Sequence, residues 1–122
     1  MAVLGSGFDH IYPAEHKNYC KKILQTGGAI ITEYEPKTKP LKLNFPSRNR
    51  IISGLADGVL VVEAKAKSGT LITVDYALDQ GKDVFVIPGN ITSDRSYGTN
   101  DLLKQGAKLV TSVEEIVEEM LR

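Results

Sequence analysis

The sequence predicts an α/β fold: a mostly parallel five-stranded sheet with helices on both faces. Two observations carry that expectation. Strand-like and helix-like segments alternate along the whole chain, the arrangement that right-handed βα crossovers require. Two of the strand-like runs, "GVLVVEA" (58–64) and "DVFVIPG" (83–89), are apolar at consecutive positions, as expected of parallel strands covered on both sides.

The elements follow in order. "MAVLG" (1–5) is a short apolar strand ending in glycine, and "AEHKNYCKKILQTGG" (14–28) has helical spacing at Tyr19, Ile23 and Leu24 with Gly27 and Gly28 as a stop. "AIITE" (29–33) reads as a buried strand. A loop rich in Pro and Lys (35–47) leads to a helix beginning near Arg48, whose Ile51, Ile52 and Leu55 are expected to hold it in the core. After the strand at 58–64, "GTLITVDYALDQG" (69–81) carries a helical stripe at Leu71, Val74 and Leu78 and closes on Gly81. The strand at 83–89 is followed by a loop (90–97), a short helix "GTNDLLKQG" (98–106) and the strand "AKLVT" (107–111). The last helix opens with Ser112 and Glu115 at capping-box spacing. No repeat or low-complexity tract is present, and residues 1–122 are expected to form a single domain.

Composition narrows the class. With 42% hydrophobic and 25% charged residues, the chain has the make-up of a soluble globular protein. No apolar run approaches the roughly 18–20 residues of a membrane span, and the opening residues do not read as a signal peptide. The lone cysteine, Cys20, excludes an internal disulfide framework and fits a reducing cytoplasm, with a small packed thiol as its expected role. The formal net charge is zero, which argues against binding nucleic acid by bulk charge. The charges are nonetheless uneven. Lys37, Lys39, Lys42, Arg48 and Arg50 stand without an acidic residue between 37 and 56, whereas Glu114, Glu115, Glu118 and Glu119 make the last helix acidic.

Ligands of open α/β sheets bind beyond the carboxyl ends of the strands, where the N–H groups of the next helix are unpaired. Three such loops carry small or polar residues: Gly5-Ser6-Gly7, "KAKSGT" (65–70) with Lys67, Ser68, Gly69 and Thr70, and Pro88-Gly89-Asn90. Arg48, Asn49 and Arg50 open the helix after the second strand. Together these residues outline a phosphate site. Each has an ordinary alternative: Gly69 as a tight turn, Ser68 or Thr70 as a helix cap, either arginine as half of a structural ion pair, Arg48 with Asp57 or Glu63.

No catalytic set is evident. Gly5-Ser6-Gly7 lacks the third glycine of a dinucleotide fingerprint, and no glycine-rich loop ends in Gly-Lys-Ser/Thr. His10 and His16 have no partners at metal-ligand spacing, so neither a metal nor another cofactor is expected. Ser6 and Ser68 lie outside a nucleophile elbow, and Glu63 and Asp75 form an acid/base pair only if the fold joins them.

The series Gly5-Ser6-Gly7-x-Asp9 with Tyr12-Pro13, Glu33, Phe45-Pro46-x-Arg48-Asn49-Arg50-Ile51-Ile52-x-Gly54-Leu55, "VVEA" (61–64), Ser68-Gly69-Thr70, Pro88-Gly89, "GTNDLL" (98–103) and Gly106-Ala107 resembles the DprA/Smf (DNA-processing protein A) family along essentially the whole chain. The resemblance implies a Rossmann-like domain that binds single-stranded DNA without cutting it, protects incoming DNA in natural transformation, helps load the RecA recombinase and self-associates, commonly as a homodimer. It places Arg48, Asn49 and Arg50 on the family's arginine block and Ser68-Gly69-Thr70 on its small-residue loop; the loop residues Gly5, Ser6, Gly7 and Lys67 are expected as further DNA contacts. Phe45 and Tyr97 are the rings available for base stacking, with core or surface packing their expected role. In that family the segment equivalent to residues 2–9 lies mid-domain. The chain is therefore expected to correspond to the second half of the domain, as an excised piece or a short member, with a strand edge open to self-pairing. A competing enzymatic reading, nucleoside monophosphate hydrolysis on the related lysine-decarboxylase-like fold, needs a double glycine and a carboxylate directly after the threonine; "AKSGTLIT" has neither.

Overall fold

The computed structural model describes residues 1–122 throughout, and the chain divides into two compact units, Met1–Ile52 and Ser53–Arg122. In the first unit, β1 (Ala2–Val3) pairs in parallel with β2 (Ile30–Ile31), Ala2 opposite Ile30 and Val3 opposite Ile31. Between them lie two 3-10 turns, Phe8–His10 and Ala14–His16, and helix α1 (Lys17–Gln25). Cys20 is the buried residue of α1, the packed thiol that its setting implies. The next helix, α2 (Asn44–Leu55), begins at Asn44, earlier than its polar opening suggests. Pro46 falls in its first turn, where a missing N–H costs no intrahelical bond.

In the second unit, β3 (Gly58–Val61), β4 (Asp83–Val86) and β5 (Lys108–Leu109) form a parallel three-stranded sheet in that order. Helix α3 (Gly69–Asp79) links β3 to β4, helix α4 (Tyr97–Lys104) links β4 to β5, and helix α5 (Val113–Met120) follows β5. The fold class is the expected one, with five strands all in parallel pairings. The hydrogen-bonded ladder, however, is divided into β1–β2 and β3–β4–β5 instead of running through one sheet.

The pleat sorts the second unit's core. Val61, Val84 and Val86 join Val74 and Ala77 of α3 and Leu102 of α4 in one buried cluster. Phe85, only 1% exposed, stands outside that cluster on the alternate face. Gly81 ends α3's turn at φ 71°, a left-handed conformation that glycine takes without penalty. At α5, Ser112 Oγ accepts from Glu115 N–H as the capping pattern predicts, but the glutamate returns its bond to Thr111, whose N–H it accepts at 2.8 Å.

Two expectations need correcting. The run at 58–64, expected to be covered on both sides, has Leu60 44% and Val62 57% exposed and forms an edge strand of its sheet, so β3 buries one face only. Of Ile51, Ile52 and Leu55, only Ile51 is partly buried; Ile52 is 40% and Leu55 54% exposed. The fully buried residue of α2 is Ser53, whose hydroxyl donates to Gln80 Oε1 at 2.7 Å. A satisfied hydroxyl is as buriable as an isoleucine, and apolar count alone does not separate them.

Two tests follow from this packing. Phe85→Ala is expected to lower unfolding free energy by about 3–5 kcal/mol, read from the urea midpoint at unchanged slope. Glu119 accepts a hydrogen bond from Lys108 and lies 3.2 Å from Arg122; the Lys108 bond chiefly holds its carboxyl below the ordinary carboxylate range, desolvation opposes it, and the smaller Coulomb pull of each cation adds to the lowering. A lowered folded pKa contributes stability above the unfolded value and loses it as pH falls through the folded one. NMR titration should therefore show the Glu119 midpoint rising when Lys108 is replaced by Met.

Candidate nucleic-acid interface

In the first unit the carboxyl end of β1 meets the start of α2. Arg48 Nη1 donates to the Val3 carbonyl at 2.8 Å and Nε donates to Asn49 Oδ1 at 3.2 Å. Its Cζ stands 5.5 Å from the centre of the Phe45 ring, within cation–π range. Burial pulls the guanidinium below its ordinary pKa, but arginine starts so high that the charge persists at neutral pH. A guanidinium has five N–H donors, so these two bonds leave others for an outside acceptor. Of the two acids expected to pair with it, Glu63 lies instead beside Arg95.

Arg50, one turn-face away, pairs with Glu33 Oε2. Both side chains remain partly solvated, 45% and 31% exposed, so this is a surface pair of roughly 0–1 kcal/mol.

Gly5, Ser6 and Gly7 are all buried. Ser6 Oγ donates to His10 O and Ser6 O accepts from Thr32 Oγ1, each at 2.7 Å, while Gly7 N–H donates to Thr38 O at 2.9 Å. A Cβ on Gly7 would collide with the carbonyls of Glu35 and Pro36. On Gly5 it would lie 2.9 Å from the Phe45 ring. Ser6 and Gly7 thus admit neighbouring chain, whereas Gly5 admits the Phe45 ring, over which Arg48 stands.

In the second unit the loop after β3 rises to α3. Ser68 caps that helix, its Oγ accepting from Thr70 N–H at 3.1 Å. Gly69 is exposed, and open space surrounds the place of its missing side chain. Lys65 and Lys67 are exposed in the same loop. Sequence reasoning passed over Arg95. Its carbonyl accepts from Ala64 N–H at 2.9 Å, and Gly98 N–H donates to Ala64 O at 2.8 Å, so the loop after β4 is tied to the loop after β3. Arg95 therefore lines, with Glu63, Ala64, Lys65 and Ser68, a shallow depression of about 230 Å³. Its guanidinium lies 4.0 Å from Glu63, and Lys65 lies 3.7 Å from Asp94. Glu63 thus faces Arg95 and not Asp75. The signal for Arg95 was its place in a loop at the carboxyl end of a strand. Asn100 holds the Pro88-Gly89-Asn90 loop by bonding both the N–H and the carbonyl of Gly89, at 3.2 and 3.1 Å. A separate cleft of about 360 Å³ sits at the amino ends of β4 and β5, between Lys82, Asp83 and Lys108, the edge that α/β ligands do not use.

No helix is long and apolar enough to cross a membrane. The family model for DNA recombination-mediator protein A matches residues 1–121. The chain is 50% identical to protein Smf of Escherichia coli over 98% of its own length and 32% of that relative's, and 45% identical to DNA processing protein DprA of Streptococcus pneumoniae over 98% of its own and 42% of that protein's. It thus spans well under half of these curated relatives. Among solved structures, DprA from Streptococcus pneumoniae superposes with a TM-score of 0.85 at 45% identity, covering 96% of this chain and 42% of that one. DNA processing protein A from Helicobacter pylori, whose structure addresses a single-stranded DNA binding mode, superposes with a TM-score of 0.86 at 32% identity, covering 98% and 54%. The chain belongs to the DNA recombination-mediator protein A family, that of the DprA and Smf proteins.

Proposed function

We propose that this chain carries a single-stranded DNA-binding surface that acts without cutting its ligand. The observation that carries the reading is the anchored Arg48: a charged guanidinium held at the carboxyl end of β1 with N–H donors to spare. Arg50 adds an exposed cation, and Asn49 orients Arg48. The second unit contributes its own phosphate contacts through Lys67, Ser68, Gly69 and Thr70, where the first turn of α3 faces solvent. Gly5 gives Phe45 its seat, and Ser6 and Gly7 tie the loop after β1 to its neighbours. The Helicobacter pylori relative, whose structure was described for its single-stranded DNA binding mode, supports the ligand class.

Within the same reading, the protein protects incoming DNA during natural transformation, assists loading of the RecA recombinase, self-associates and works in the cytoplasm. Its role is one of binding and delivery, not of hydrolysis.

Fluorescence anisotropy of a labelled thymidine oligonucleotide across a salt series tests this. The log–log slope should reflect a few phosphate contacts, roughly −0.7 for each, and Arg48→Ala with Arg50→Ala should flatten it by about 1.4. Unchanged binding and slope in the double variant would overturn the assignment of the site. Nucleoside monophosphates incubated with the protein are expected to stay intact by chromatography; release of free base would return the enzymatic reading.

A further inference from the structure

The Phe45 ring has three neighbours of different kinds. Gly5 lies beneath it, so close that a Cβ there would meet ring carbons at 2.9 Å. The Arg48 guanidinium stands over it at 5.5 Å. The third is Tyr12, whose ring centroid is 6.0 Å from that of Phe45 at an interplanar angle of 53°, a tilted aromatic pair. Phe45 is partly buried, whereas Tyr12 is 61% exposed. One ring is thus taken up by its neighbours, and the other is propped on it with most of its surface in water.

From this arrangement we propose that Tyr12 is a base-stacking residue: one base of a single strand lies on its ring while the adjoining phosphate meets Arg48. The inference rests on the single-stranded DNA reading above and adds to it the part of the ligand that Tyr12 touches. Three features support it. An aromatic ring held by a second ring loses little freedom on stacking, so the contact comes at small entropic cost. The ring stands in the same cluster as a guanidinium that keeps donors for phosphate, which matches the base-then-phosphate repeat of a nucleic-acid strand. A stacked base must also be unpaired, so the platform favours single strands over duplex. Phe45 is the less exposed of the two rings, so Tyr12 offers a base the larger free face. Tyr19 is a fair control: it is 59% exposed in the same unit, but its ring packs edge-on against His16 at 5.3 Å.

The test compares a labelled thymidine oligonucleotide with an abasic strand of the same length. The intact protein should bind the thymidine strand about tenfold more tightly than the abasic one, the scale of one stacked base. Tyr12→Ala should abolish that preference without altering the salt slope, and Tyr12→Phe and Tyr19→Ala should keep it. The chain has no Trp and five Tyr, so its own emission provides a second reading. Thymidine strand should quench tyrosine fluorescence in the intact protein, and Tyr12→Phe should bind as tightly with less quenching. If the intact protein binds both strands equally, or Tyr12→Ala retains the preference, the stacking role falls and the phosphate site stands. If neither strand binds, both fall.

Discussion

The bond from Arg48 to the Val3 carbonyl decides how the carboxyl end of β1 is built. Taking a guanidinium partly out of water is costly, and the lowered pKa of Arg48 is the sign of that cost. Hydrogen bonds to a charged donor contribute roughly 1.5–3 kcal/mol each, and contact with an aromatic face roughly 0.5–2 kcal/mol, enough together to hold the group where it is. The geometry then propagates. Phe45 must lie under the guanidinium, Gly5 must be small to admit Phe45, and α2 must begin early enough to present both side chains to β1. A run that opens with two arginines around an asparagine is therefore not two copies of one device. Arg48 is drawn in, Asn49 accepts from it, and Arg50 stays at the surface with Glu33.

That division explains what was legible in the sequence. β3 and β4 were readable because both faces of each strand are apolar, a pattern that survives without knowledge of neighbours. The shorter pairings of β1, β2 and β5 extend over two residues each, less than their apolar runs, because pairing depends on a partner strand and not on the run itself. The site was legible in its residue types: arginines are conspicuous, and Ser68 read as a possible cap because a cap leaves a local signature. Gly5, Ser6 and Gly7 were not legible, since glycine admits a ligand or a neighbouring chain with the same pattern, and only the positions of Glu35, Pro36 and Phe45 distinguish the two. Arg95 was missed because its nearness to Ser68 arises from bonds between loops far apart in sequence.

The neutral total charge has a local counterpart. Arg50 faces Glu33, Lys65 faces Asp94 and Arg95 faces Glu63, so several cations at the carboxyl-end loops already have an acidic neighbour. Each pair is exposed and worth little, so exchange for a phosphate is cheap in itself. The displaced carboxylate nevertheless remains nearby and repels the incoming anion. Arg48 differs, because it donates to a carbonyl and an amide oxygen, neither of which carries charge. A phosphate arriving there adds an interaction and displaces none of these.

From this balance follows a division of labour between charge and contact. A chain with no net charge has little net field at long range, and the attraction of its basic stretch fades within a Debye length of about 8 Å at physiological salt. Affinity in such a protein has to come from groups that gain energy only at close range. Aromatic contact is of that kind: it is short-ranged, indifferent to salt and available only when a base is unpaired. On the proposed reading, a partly desolvated arginine and an exposed ring set on one phenylalanine would let a chain without net charge select an unpaired strand by contact rather than by field.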